Sequence, residues 1–183
     1  MLVIGDEILS GRTRDANMHH VAGELTKVGI DLQEVRVVSD DPDAITGAVR
    51  ALSAGYDTLI TSGGIGPTHD DITAENVARA FDVPITVRAD ARALLEAHYT
   101  HVGQELNEAR LRMARIPDGA TLIDNPVSIA PGFTLKNVHV MAGVPRVMES
   151  MLEDLAKNIT GGRKLVSQSV DCGVGESTRH IAL

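Results

Sequence analysis

A chain of 183 residues suits one domain of ordinary size, or one domain with a short appendage, and two full domains do not fit. With 43% hydrophobic and 23% charged residues, neither a disordered nor a fibrous chain is indicated, and the net charge of -8 argues against a general nucleic-acid binder, whose affinity comes from Lys and Arg displacing counterions. The lone Cys172 excludes an intramolecular disulfide, and neither a membrane-spanning apolar run nor a signal-peptide layout is present, so the chain is read as cytoplasmic with no nucleic-acid or membrane partner.

Leu2 to Ile4 predicts a short strand ending at Gly5, and after a polar loop the spacing of Met18, Val21, Leu25 and Val28 predicts a helix that Gly29 stops. Leu32 to Val38 reads as the second strand. Pro42 then opens a helix carrying Ile45, Val49 and Leu52 on its apolar face. Thr58 to Thr61 is a compact strand running directly into Ser62-Gly63-Gly64-Ile65-Gly66-Pro67-Thr68, which completes a βαβαβ unit. Further along, Thr73 to Phe81, Ala89 to Val102, Asn107 to Arg115 and Arg146 to Lys157 are predicted helices. Pro84 to Val87, Ala120 to Ile123, Phe133 to Leu135 and Val138 to Ala142 are predicted strands, and Pro117-Asp118-Gly119 is a turn. Gly161-Gly162 reads as a hinge before an alternating stretch, Lys164 to Val170.

Strands alternating with helices imply an α/β fold with a mostly parallel sheet, in which ligands sit beyond the carboxyl ends of the strands. The loops after the first three strands therefore share one rim. They hold Asp6 and Glu7, then Asp40 and Asp41, then the glycine loop with Asp70 and Asp71. Three glycines in four positions between a buried strand and a helix can bring bare peptide N–H groups to an anion such as a phosphate. The loop lacks the Lys-Ser/Thr ending of a Walker A loop and the third glycine of a dinucleotide fingerprint, so on spacing alone a tight turn without a ligand stays open. Asp70 and Asp71 serve equally as helix caps or as groups that hold a divalent cation or ligand donors. Asp40 is a turn residue or a site acid. Glu7 is an exposed loop acid or a used one. His98 and His101, three apart, have no third ligand spaced nearby, and Cys172 has no His partner, so neither is promoted to a metal or catalytic site.

Gly5-Asp6-Glu7-Ile8-Leu9 with Gly11 and Asn17, and Thr61 to Thr73 with its Gly-Gly-x-Gly-Pro-Thr-x-Asp-Asp-x-Thr pattern, resemble the two signature stretches of the MoaB/Mog-like molybdopterin-binding superfamily, in the variant of its CinA N-terminal-domain branch. The likeness continues through Asn107, Ile116 to Ala120, Asn125 to Val127, Ala130 to Phe133 and Gly143 to Pro145, over roughly residues 1 to 175. The resemblance implies a three-layer αβα sandwich over residues 1–160, a partial C-terminal β appendage over 161–183, and a homo-oligomer. It also implies a molybdopterin-type or related nucleotide ligand, held by Glu7, Asp40, Gly63, Gly64, Gly66, Pro67, Thr68, Thr73, Asn125, Gly132, Gly143 and Pro145. Similar domains are associated with metal-dependent pyrophosphate hydrolysis of ADP-ribose or FAD. For that activity the matching positions make Asp71 and Asp70 the catalytic pair, holding Mg, Co or Mn; the remaining implied alternative is a non-catalytic regulatory module. The nicotinamide-mononucleotide amidohydrolase domain of two-domain CinA proteins has no counterpart here, and trimmed coverage is expected at both ends.

Overall fold

The computed structural model describes residues 1–156, Ile159 and Gly162, so the predicted strand at 164–170 and all but Gly162 of the expected appendage lie outside the described residues. In chain order the elements are β1 (Leu2–Ile4), α1 (Asp6–Leu9), α2 (Asn17–Lys27), β2 (Arg36–Val38), α3 (Pro42–Gly55), β3 (Leu59–Ser62), α4 (Thr73–Ala80), β4 (Ile85–Val87), α5 (Ala89–His101), α6 (Glu108–Leu111), β5 (Arg115–Pro117), β6 (Thr121–Ile123), β7 (Gly132–Leu135), β8 (Val138–Met141) and α7 (Pro145–Ala156). No described helix is long and apolar enough to cross a membrane.

Six strands form one sheet in the order β2-β1-β3-β8-β7-β6. The first four are mutually parallel, and β7 and β6 add antiparallel at one side. Alternation along each strand assigns the two faces. Leu2, Ile4, Leu59, Val138, Val140 and Phe133 pack with Ile45, Val49 and Leu52 of α3 and Val77 of α4. Met1, Val3, Ile60, Met141 and Ile123 pack instead with Val21 and Leu25 of α2 and Met148, Met151 and Leu152 of α7. Helices thus cover both faces, giving the three layers. The cores are aliphatic apart from Phe133, which is 1% exposed.

Local chemistry sets the helix starts. The Asp15 carboxylate accepts from the N–H groups of Asn17 and Met18 at the head of α2. Asp41 accepts from Asp43 and Ala44 at the head of α3, where Pro42 occupies the first turn and loses no hydrogen bond. Asp41→Ala is therefore expected to cost about 1 kcal/mol of stability, read as a lower midpoint in urea unfolding with an unchanged slope.

Three elements differ from the sequence expectations. The loop after β1 contains a single helical turn, α1. Only Arg36–Val38 of the predicted second strand is paired, because β1 offers just Leu2, Val3 and Ile4 as partners. The predicted helix from Asn107 to Arg115 stops at Leu111, continues as a 3-10 turn over Arg112–Ala114, and yields to a strand whose Arg115, Ile116 and Pro117 pair antiparallel with Val87, Thr86 and Ile85.

Candidate functional site

The carboxyl ends of β1, β2, β3 and β8 open onto one cleft of about 650 Å³. Its walls are Ile4, Gly5 and Glu7 after β1, Asp40 after β2, Gly63 to Pro67 with Asp70 and Asp71 after β3, and Ala142 to Pro145 after β8. Asn125, Ser128 and Ala130 close one side, and Tyr99 and Met113 another. Of the sequence-predicted residues, Glu7, Asp40, Gly63, Gly64, Gly66, Pro67, Asp70, Asp71, Asn125, Gly143 and Pro145 come together here. Thr68, Thr73 and Gly132 do not line the cleft. Gly132 lies in β7, where any side chain would collide with the Val140 carbonyl, and Thr73 is fully buried beneath the glycine turn.

The turn is held from below. Gly63 and Gly64 adopt φ of 108° and 68°, which L side chains rarely tolerate. The Thr73 hydroxyl donates to Gly63 O at 2.9 Å, the Thr73 N–H donates to Gly64 O at 2.9 Å, and Gly63 N–H donates to Met141 O at 3.2 Å. Gly143 presses against the same point, since a Cβ there would sit 3.1 Å from Gly63 Cα. Thr73→Val removes a buried donor while keeping the shape, and it is expected to cost about 1–2 kcal/mol in chemical denaturation because Gly63 O loses its partner.

Asn17 ties two of these loops to α2. Its Nδ2 donates to Ser62 Oγ and to Gly143 O, each at 2.7 Å, and the side chain is 4% exposed. Asn125 organises the 125–130 loop by donating to Ser128 Oγ and Ala130 O and accepting from Val127 and Ser128 N–H groups. Its amide is thus committed to the wall of the cleft.

Asp70 and Asp71 do not cap α4, which starts without a side-chain cap. The Asp71 carboxylate accepts from Thr68 N–H at 2.8 Å, and Thr68 Oγ1 stands 2.5 Å from both Asp71 Oδ2 and Asp70 Oδ1. The Thr68 hydroxyl holds Asp70 below the usual carboxylate range. Gly66 lies against this arrangement, since a Cβ there would come within 2.6 Å of Asp71 Oδ2 and displace that carboxylate. Across the cleft Asp40 accepts from Asp6 N–H at 2.9 Å. Burial raises its pKa, the Asp6 N–H bond opposes the rise, and the charges of Asp6, Glu7 and Asp70 add to it.

A raised carboxyl pKa means that the folded chain binds a proton the unfolded chain releases earlier. Stability then falls as pH climbs from the ordinary aspartate range, roughly pH 4, through the folded value. Asp40→Asn keeps an oxygen acceptor for Asp6 N–H and is expected to flatten that part of the stability-pH profile, with thermal melts across the interval as the check.

Comparison with known proteins agrees with this architecture. A family model described as a probable molybdopterin binding domain matches residues 1–161. The chain belongs to this family. A protein from Metallosphaera sedula is 37% identical over 164 residues, spanning 87% of this chain and 62% of that relative. A CinA-like protein from Citrifermentans bemidjiense is 40% identical over 158 residues, spanning 84% of this chain but 38% of its own length. The chain thus spans less than two thirds of both relatives. The crystal structure of CinA from Thermoplasma acidophilum superimposes with a TM-score of 0.79 at 36% identity, covering 86% of this chain and 94% of that one. MoaB from Thermus thermophilus, described as a molybdopterin biosynthesis enzyme, shares the fold at a TM-score of 0.54 and 18% identity. The molybdopterin-binding domain therefore accounts for the α/β architecture and its CinA-like branch.

Sequence reasoning missed Tyr99 and Met113, which reach the cleft from α5 and the 3-10 turn, and it gave Asn17 no role. For Tyr99 a signal existed. Only two tyrosines and two phenylalanines occur in the chain, so each aromatic ring is a scarce surface for a flat ligand.

Proposed function

We propose that the cleft binds a small phosphorylated ligand of the molybdopterin class, or a related nucleotide. The phosphate would face the Gly63 to Gly66 turn, and the acids would accept from ring or sugar donors. The observation that carries this reading is the meeting of four strand ends, a glycine turn with left-handed backbone and four carboxylates in one cleft. Its volume of about 650 Å³ falls within the usual range for a cofactor-sized molecule. The family supports the pterin class: the matching model describes a molybdopterin binding domain, and MoaB from T. thermophilus is named for molybdopterin biosynthesis. Calorimetric titration with neopterin monophosphate tests it; saturable binding of the wild type that Gly64→Val abolishes is the expected result.

A second reading, metal-dependent pyrophosphate hydrolysis of ADP-ribose or FAD, is favoured by one specific observation. The cleft is lined by Glu7, Asp40, Asp70 and Asp71 with no Lys, Arg or His among the described lining residues, so a bound cation would offset the repulsion that these carboxylates add to the amide contacts of a phosphate. No three His, Cys, Asp or Glu side chains among the described residues converge to hold an ion by themselves. The fit is instead that of Mg-type sites, in which one or two carboxylates share the ion with substrate phosphates. Asp70 and Asp71 would hold it, and when bound it would polarise a phosphoryl oxygen. The glycine amides would meet the charge that develops there.

Incubation with ADP-ribose or FAD plus Mg, Co or Mn, followed for AMP, separates the readings. Hydrolysis is expected to fall by about 100-fold in Asp71→Asn, whose amide oxygen still accepts from Thr68, so that melting is unchanged. Absence of AMP with every metal removes the enzymatic reading. Absence of both binding and turnover leaves a regulatory module as the function.

A further inference from the structure

Tyr99 is the one aromatic side chain among the described residues lining the cleft. It projects from α5, half-buried against the larger apolar core, and its ring is fixed from two directions. The guanidinium carbon of Arg110 lies over the ring, 4.4 Å from its centroid, and His98 meets the ring edge-on at 5.3 Å. Arg110 is itself held by Gln104 Oε1 at 2.7 Å and Glu105 O at 2.5 Å. Tyr99 lines the cleft and Arg110 does not, so the guanidinium covers one face of the ring without itself lining the cavity.

A ring held in place this way loses little freedom when a second flat group stacks on it, and a cation behind it draws π density from the exposed face. The rest of the described lining offers no aromatic surface: it is glycine, proline, aliphatic side chains, Met113, the neutral polar Thr13, Asn125 and Ser128, and acids.

We infer that Tyr99, braced by Arg110, is the stacking platform for a planar nitrogen heterocycle carried by the phosphorylated ligand, and so a specificity-determining residue of the cleft. The role rests on the phosphate-site reading given above. Pterin and purine rings share the required chemistry, a flat π system with ring nitrogens. The glycine turn would recognise the phosphate, and Tyr99 would recognise that something flat is attached to it.

The chain contains no Trp and two tyrosines, so tyrosine emission reports this position once the other is removed. Tyr56 lines a separate cleft with Met1, Leu25 and Leu59 and donates to Glu34, which makes Tyr56→Phe a suitable background. AMP and neopterin monophosphate serve as ring-bearing probes, the ring being the aromatic heterocycle, and ribose 5-phosphate is the counterpart of AMP without the base.

In calorimetry, at least one ring-bearing probe is expected to bind the wild type about tenfold more tightly than ribose 5-phosphate, the usual scale of base-aromatic stacking. Tyr99→Leu is expected to remove that preference without changing ribose 5-phosphate binding, and Tyr99→Phe to keep it. In the Tyr56→Phe background, AMP is expected to quench the remaining tyrosine emission, while ribose 5-phosphate leaves it unchanged. Whichever ring shows the larger loss in Tyr99→Leu names the heterocycle. If Tyr99→Leu retains the full ring preference, or weakens all three probes equally, the stacking role is overturned while the phosphate site stands. If none of the probes binds the wild type, the phosphate-site reading falls and the platform with it.

Discussion

Gly63→Ala is expected to lower the stability of the fold by about 3 kcal/mol, a larger loss than any other single glycine replacement at the site. Two costs add. At a φ of 108° an L side chain is strained, and the new methyl would be driven into the backbone carbonyl of Ile4, which belongs to β1 and cannot swing away as a side-chain tip would. The Gly63 backbone is also pinned by Met141 O, Thr73 Oγ1 and the close approach of Gly143, so relief in any direction breaks another contact. For a chain of this size the corresponding drop in melting temperature is about 10 °C. Gly47→Ala is the matched control: it lies in the exposed interior of α3 with open space around it, and it is expected to stabilise by about 0.5–1 kcal/mol. Opposite shifts of the two variants in thermal denaturation would separate conformational strain from a general sensitivity to added methyl groups.

Asn17→Ala is expected to cost about 2 kcal/mol. The amide is buried, and its loss leaves the Gly143 carbonyl and the Ser62 hydroxyl without their donor. The deletion also uncouples three segments that frame the cleft: the head of α2, the end of β3 and the loop after β8. Ser62→Ala, by contrast, leaves the bond to Gly143 in place and is expected to cost less. Equilibrium unfolding of both variants and of the double replacement checks the ordering. Non-additive losses are expected, because the side chains share one hydrogen bond.

The first half of the fold was legible because its signals are local. Gly29, Pro42 and the compact Thr58 to Thr61 run each mark a boundary without reference to the rest of the chain, and the rim on which Glu7, Asp40 and Asp71 meet followed from strand direction alone. What escaped was decided by partners far away in sequence. Arg115 reads as the end of a helix and Pro117 as the start of a turn until Ile85 to Val87 arrive to pair with Arg115 to Pro117. Leu32 to Val35 belongs to the stretch read as the second strand, but β1 is too short to pair with it.

The site divides in the same way. Thr73 and Gly132 belong to the family pattern, and sequence alone cannot tell that one supports the glycine turn from below while the other makes room for Val140 in the sheet. The capping role open to Asp70 and Asp71 gave way to a pairing with Thr68, because α4 starts two residues beyond Asp71. Tyr99 reaches the cleft from α5, which packs against the 3-10 turn at Arg112–Ala114, a contact without periodicity or motif to announce it.

Amide chemical-shift mapping by NMR during a titration with neopterin monophosphate decides whether a phosphate sits on the glycine turn. Saturating shifts concentrated at Gly63, Gly64, Gly66, Asp71 and Gly143 are the result expected of a phosphate seated on the glycine turn. Shifts that gather instead around Met1, Glu34 and Tyr56 in the separate cleft, or an unchanged spectrum at saturating ligand, would contradict it.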